Sequence, residues 1–120
     1  MFKSLREFTL DKQVNRAKLK IIHTNDKRGP CTIVQLYRTS VVHRQNVNNV
    51  VTLNSGAWRT VSTKTCINTA LKAIYGSLSP YVFQYKKEWY INLPGMQDAI
   101  KYFDGMTIGG GCGAPFMVLN

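Results

Sequence analysis

The amino-acid sequence predicts an α+β domain, an antiparallel meander of about six or seven strands packed on one face by a single main helix near residues 64–75. Three observations carry that expectation. From Leu19 onward, β-branched and aromatic residues recur in short runs bounded by Asn, Asp, Gly and Pro, as half-buried pleated ribbons require. The links between these runs are too short for parallel crossovers, which need about a dozen residues or more. One segment, Lys64 to Tyr75, places Ile67, Ala70, Leu71 and Ile74 on one helical stripe, with Lys64, Asn68 and Lys72 opposite.

Taken in order, Phe2, Leu5 and Phe8 recur at helical spacing inside a basic segment, so residues 1–18 read as an arm or one short amphipathic helix. Residues 19–108 read as the α+β domain. Strands are expected at Leu19–His23, Thr32–Tyr37, Ser40–His43, Val50–Leu53 and Trp58–Val61, with Asn25 to Pro30 forming the first turn. Ser62 or Thr63 can cap the helix, and Gly76 can supply the left-handed residue that ends it. Tyr81–Tyr85 and Trp89–Leu93 then flank a three-residue hairpin loop, Lys86-Lys87-Glu88. Met96 to Phe103 has the spacing of a short helix. Residues 109–120 join a glycine tract to an apolar tip, a tail that its own core or another subunit must cover.

Composition points to a class of partner. Sixteen Lys+Arg against six Asp+Glu give a net charge of +10, and a domain this basic meets polyanions or an acidic protein face. The basic density lies at the front: residues 1–44 hold ten Lys+Arg and three Asp+Glu, a net +7. No apolar run approaches the ~20 residues of a membrane span, so no membrane partner is expected. The N-terminus is too charged for a signal peptide, and three cysteines without such a leader fit a reducing compartment.

Chemistry-bearing spacings are few. Cys31, Cys66 and Cys112 are too far apart in sequence to form a CxxC pair, so no metal or other cofactor is expected. His23 and Asp26 together suggest a metal pair, but Asn25-Asp26 beside Gly29-Pro30 is simpler as turn chemistry. Gly109-Gly110-Gly111 lacks the strand-then-helix context of a dinucleotide loop, and no GxxxxGK[ST] is present. The chain is therefore read as non-enzymatic.

Basic and aromatic residues do interleave, at Tyr37-Arg38, Trp58-Arg59 and Tyr85 to Tyr90, as in surfaces that combine phosphate contacts with base stacking. Trp58 and Trp89 also suit a core. The expected nucleic-acid contacts are Arg16, Lys18, Lys20, Lys27, Arg28, Arg38, Arg59, Lys64, Lys86 and Lys87 for phosphates, with Tyr85 and Tyr90 for bases. Arg59 to Thr65 is a hydroxyl-rich junction that reads either as a phosphate seat or as an ordinary helix cap.

Leu53 to Asn68, LNSGAWRTVSTKTCIN, with Phe83, Trp89 and the late Phe103-Asp104-Gly105-Met106, resembles a group of small uncharacterised bacteriophage proteins. Their pattern has a second glycine where Ala57 stands and a threonine where Ser62 stands. The resemblance spans roughly residues 30–108 and implies a phage origin, hence the cytoplasm of an infected host cell or a virion, without assigning an activity. The reading that emerges is a small basic phage protein binding DNA or RNA with low sequence specificity. Its alternatives are a modulator that docks on the acidic surface of a host enzyme, and an assembly component that forms a homo-oligomer through its C-terminal tail.

Overall fold

Period-two alternation in the chain becomes nine strands among the described residues, which are 19–57, 59–111 and 114–120 of a computed structural model. The basic arm with Arg16 and Lys18, together with Trp58 and Cys112, lies outside them. The strands are β1 (Leu19–Asp26), β2 (Gly29–Leu36), β3 (Thr39–Gln45), β4 (Val51–Leu53), β5 (Tyr81–Tyr85), β6 (Glu88–Asn92), β7 (Ile100–Lys101), β8 (Met106–Gly111) and β9 (Ala114–Val118). Helix α1 (Val61–Tyr75) separates β4 from β5. The fold is α+β and the paired strands run antiparallel, but they divide into a six-stranded sheet, β1-β2-β3-β4-β8-β9, and a three-stranded sheet, β5-β6-β7.

One core joins the three layers. The inner face of the main sheet supplies Val34, Leu36, Val42, Val51, Leu53, Met106 and Ile108, and the small sheet supplies Val82, Trp89 and Ile91. To the same core α1 contributes Thr63, Cys66, Ile67, Ala70, Leu71 and Ile74, the i, i+3, i+4, i+7 stripe that a 3.6-residue period demands. A bulge at Val34/Gln35 leaves Val41 without an opposite partner, so Val41 and Val42 are both buried despite being neighbours. The glycine tract is part of the main sheet. Gly110 sits at φ +108 in a register shift between β8 and β9, where an added Cβ would lie 2.1 Å from the Pro115 carbonyl oxygen. Phe116 and Val118 of the apolar tip pack against the core, and the Phe116 ring meets Tyr75 edge-on at 5.0 Å.

Several local expectations are corrected. Residues 59 and 60 are loop and Val61 opens α1, so no strand runs to Val61; a hydroxyl cap has captured the segment. The cap is Thr60 rather than Ser62 or Thr63: its backbone is extended, and its Oγ1 accepts the Thr63 N–H at 3.1 Å. Gly76 ends the helix as expected, at φ 86, donating its N–H to the Lys72 carbonyl. Met96 to Phe103 forms no helix, because Ile100 and Lys101 pair with β6 instead. The hairpin loop is two residues, Lys86-Lys87, since Glu88 pairs with Tyr85.

Asn68, on the polar side of the helix, docks the small sheet. Its Nδ2 donates to the Val82 carbonyl at 2.9 Å and its Oδ1 accepts the Val82 N–H at 2.7 Å, satisfying the free edge of β5 as a neighbouring strand would. Asn68→Ala strands both groups of a buried residue and should destabilise the fold by about 2 kcal/mol, given ~1–3 kcal/mol for each unmet buried group. Urea unfolding measures this, and a loss below about 0.5 kcal/mol would show that the clamp contributes little.

Candidate nucleic-acid interface

The small sheet has two unlike faces. Val82, Trp89, Ile91 and Ile100 point inward, so alternation sends Tyr81, Phe83 and Tyr85 of β5, Glu88, Tyr90 and Asn92 of β6, and Lys101 of β7 to the opposite face. Cross-strand register then gathers four rings. Phe83 stands opposite Tyr90, nearly parallel to it at 5.9 Å, while Tyr81 is 5.8 Å from Phe83 and Tyr85 is 6.4 Å from Tyr90. Tyr81 and Tyr85 remain 48% and 57% exposed. Among the described residues, this contiguous aromatic row is partly exposed apolar area, with Phe83 and Tyr90 half-buried between the two exposed tyrosines.

The turn beside this row is strained. Lys86 and Lys87 hold φ of 50° and 67°, left-handed values that a two-residue hairpin ordinarily assigns to Asn-Gly. An L side chain there costs roughly 1–2 kcal/mol. The Lys86 ammonium lies 5.3 Å from the Tyr85 ring centre. Glu88 on this face pairs with Lys101 at 3.0 Å, so among the described residues the Lys86 ammonium over Tyr85 is not neutralised by it.

The expected contact residues fall into separate groups. Tyr85, Tyr90, Lys86 and Lys87 come together on the small sheet; Tyr81, Phe83 and Lys101 complete that face and were not anticipated, although the Tyr81-x-Phe83-x-Tyr85 alternation signals it. Lys20 and Arg38, with Tyr37, line a cleft of about 910 Å³ against Thr60, Ser62 and Thr63 at the start of α1. Lys27 and Arg28 form the β1–β2 turn, at the end of β2 opposite Arg38. Lys64 is half-buried on α1.

Arg59 already has intramolecular partners. Its Nε donates to Ser55 Oγ at 3.0 Å, and its guanidinium carbon lies 5.2 Å and 4.8 Å from the ring centres of Trp89 and Tyr102. Asp104 anchors this cluster: Oδ1 accepts the Ser55 N–H and hydroxyl, both at 2.8 Å, and the Tyr102 hydroxyl at 2.9 Å, with Arg59 Nη2 3.9 Å away. Partial burial works to raise the Asp104 carboxyl, but the Ser55 and Tyr102 donors and the Arg59 charge outweigh it and hold it below its ordinary value. Burial, then Asp104, pushes the Tyr102 phenol up, which keeps it a donor.

Among the described residues, the two cysteines sit where burial disfavours the thiolate. Burial pushes the Cys66 thiol up to about 12, and burial together with the Asp26 charge raises Cys31. His23 does not meet Asp26, because alternation puts them on opposite faces of β1; its Nδ1 lies 3.1 Å from Thr32 Oγ1. Compared with protein-family models, curated proteins and solved structures, the chain finds no match in any of the three.

A pH dependence follows from the Asp104 carboxylate. Its folded pKa lies below the unfolded value near 3.8, so its stabilising effect is complete above that range and is lost as pH falls through the folded value. Asp104→Asn should therefore be destabilised by about 1–2 kcal/mol at neutral pH, a figure reduced for partial solvent screening. The gap to wild type should shrink below about pH 4. Thermal melts across that interval test this, and a gap independent of pH would contradict it.

Proposed function

We propose that this chain binds single-stranded nucleic acid without catalysing a reaction, with the outer face of β5-β6-β7 as the stacking surface. The observation that carries the reading is the partly exposed row Tyr81, Phe83, Tyr90 and Tyr85, ended by two lysines. Flat rings stack on any unpaired base, at ~1–3 kcal/mol per base, which makes such a surface tolerant of sequence. Bases inside a duplex keep their faces covered by one another, so the row favours single strands. The net charge of +10 supplies long-range attraction to the backbone, and Lys86 and Lys87 supply local phosphate contacts.

The strain at Lys86-Lys87 supports the same assignment. A turn chosen for stability alone would carry Asn-Gly at these φ values, whereas two lysines give up that stability, and Lys86 holds its ammonium over the Tyr85 ring. Exchanging them separates the two roles. The double variant Lys86→Asn, Lys87→Gly should raise unfolding stability by about 1 kcal/mol or more, from relief of left-handed strain. The same variant should lower the salt slope of oligonucleotide binding by about 1.4, as two single-strand phosphate contacts are lost at ~0.7 each. Tyr85→Ala and Tyr90→Ala should each weaken binding by ~1–3 kcal/mol and leave that slope unchanged. Fluorescence anisotropy with a labelled single-stranded oligonucleotide at several salt concentrations reads all three. Wild-type affinity in both tyrosine variants would refute the stacking surface.

A further inference from the structure

A second cluster lies on the main sheet. Asp26 ends β1, Cys31 follows the turn on β2 and His43 lies on β3, and antiparallel register places all three on the same sheet face. One carboxylate oxygen, the Cys31 sulfur and one ring nitrogen of His43 lie within 4.8 Å of one another. Asp26 Oδ2 is 3.0 Å from His43 Nε2, close to the ~3.3 Å edge of a tetrahedron with ligand bonds of about 2.0 Å. The other carboxylate oxygen, Oδ1, accepts the Arg28 N–H at 2.8 Å, which fixes the carboxylate with Oδ2 toward the cluster. Gln45, opposite Cys31 in register, brings its side-chain amide to Asp26 Oδ2 and to within 3.3 Å of His43 Nε2.

A hydrogen-bonded tie of Asp26, His43 and Gln45 accounts for three of these four residues. It does not account for Cys31, a residue that is 1% exposed and makes no hydrogen bond among the described residues, yet has its sulfur within 4.8 Å of a carboxylate oxygen and an imidazole nitrogen. We propose that Asp26, Cys31 and His43 bind one divalent transition-metal ion of the Zn(II) class. A mixed thiolate, imidazole and carboxylate set suits a borderline ion and disfavours Ca(II) or Mg(II), which require oxygen ligands. Gln45 completes the tetrahedron when its amide turns to present Oε1. Binding exchanges the thiol proton for the metal–sulfur bond and releases that proton to solvent. The ligands come from three hydrogen-bonded strands, so the ion joins the Lys27-Arg28 turn to β3 with little backbone rearrangement.

Cobalt(II) serves as the spectroscopic probe, used on the full chain carrying Cys112→Ser so that only Cys31 and Cys66 can contribute a thiolate. One equivalent of Co(II) should produce a thiolate-to-cobalt charge-transfer band with the visible bands of a tetrahedral ion, and Zn(II) should displace it. Cys31→Ser should abolish the charge-transfer band, while Cys66→Ala, in the core, should retain it. His43→Gln keeps a hydrogen-bonding group toward Asp26 and should still weaken Co(II) binding at least tenfold. Circular dichroism of each variant establishes that it is folded. Absence of the band in the folded parent, its persistence in Cys31→Ser, or unchanged affinity in folded His43→Gln would each overturn the proposal.

Discussion

The small sheet is tied to the rest of the fold through its inner side, and the Asp104 carboxylate is the centre of that tie. One oxygen receives the backbone and hydroxyl of Ser55, which follows β4, and the hydroxyl of Tyr102, which follows β7. Ser55 also receives Arg59, whose guanidinium lies over Trp89 of β6 and over Tyr102. The main sheet, the segment leading into α1 and the small sheet therefore meet at one anion. A carboxylate in this position must be ionised to hold its donors, and those donors keep it so.

Asn68 completes the docking from the other side by pairing with the backbone of Val82 at the edge of β5. Between these two fixings Trp89, Ile91 and Val82 enter the core, and strict alternation leaves Tyr81, Phe83, Tyr85 and Tyr90 no inward alternative. The aromatic row follows from the same register that buries the core. The left-handed lysines at its end mark the place where local geometry departs from what stability alone would choose.

Much of this architecture is legible in the sequence because it is periodic. The stripe of α1, the alternation of β1 to β3 and the Tyr81–Tyr85 and Trp89 runs each reveal their element directly. Trp58 to Val61 alternates over only four residues, too few to compete with the Thr60 hydroxyl that caps the helix. Met96, Ala99, Ile100 and Phe103 have helical spacing, but backbone pairing with β6 claims Ile100 and Lys101. Glycines 109–111 read as a loose tail because composition does not reveal that a bulge at Gly110 needs a residue without Cβ. Asp26, Cys31 and His43 lie on three strands, so no spacing in the chain announces them, and only the register of two hairpins brings them together.

The central claim is that the aromatic face of β5-β6-β7, rather than the basic groups elsewhere, receives the ligand. Chemical-shift mapping by two-dimensional amide NMR, during titration with a short single-stranded oligonucleotide, tests it most directly. The account predicts perturbations concentrated on Tyr81 to Asn92 and Lys101, with the Lys27-Arg28 turn and the cleft beside Arg38 largely unmoved. Perturbations centred on that turn or that cleft, with β5 and β6 silent, would contradict it.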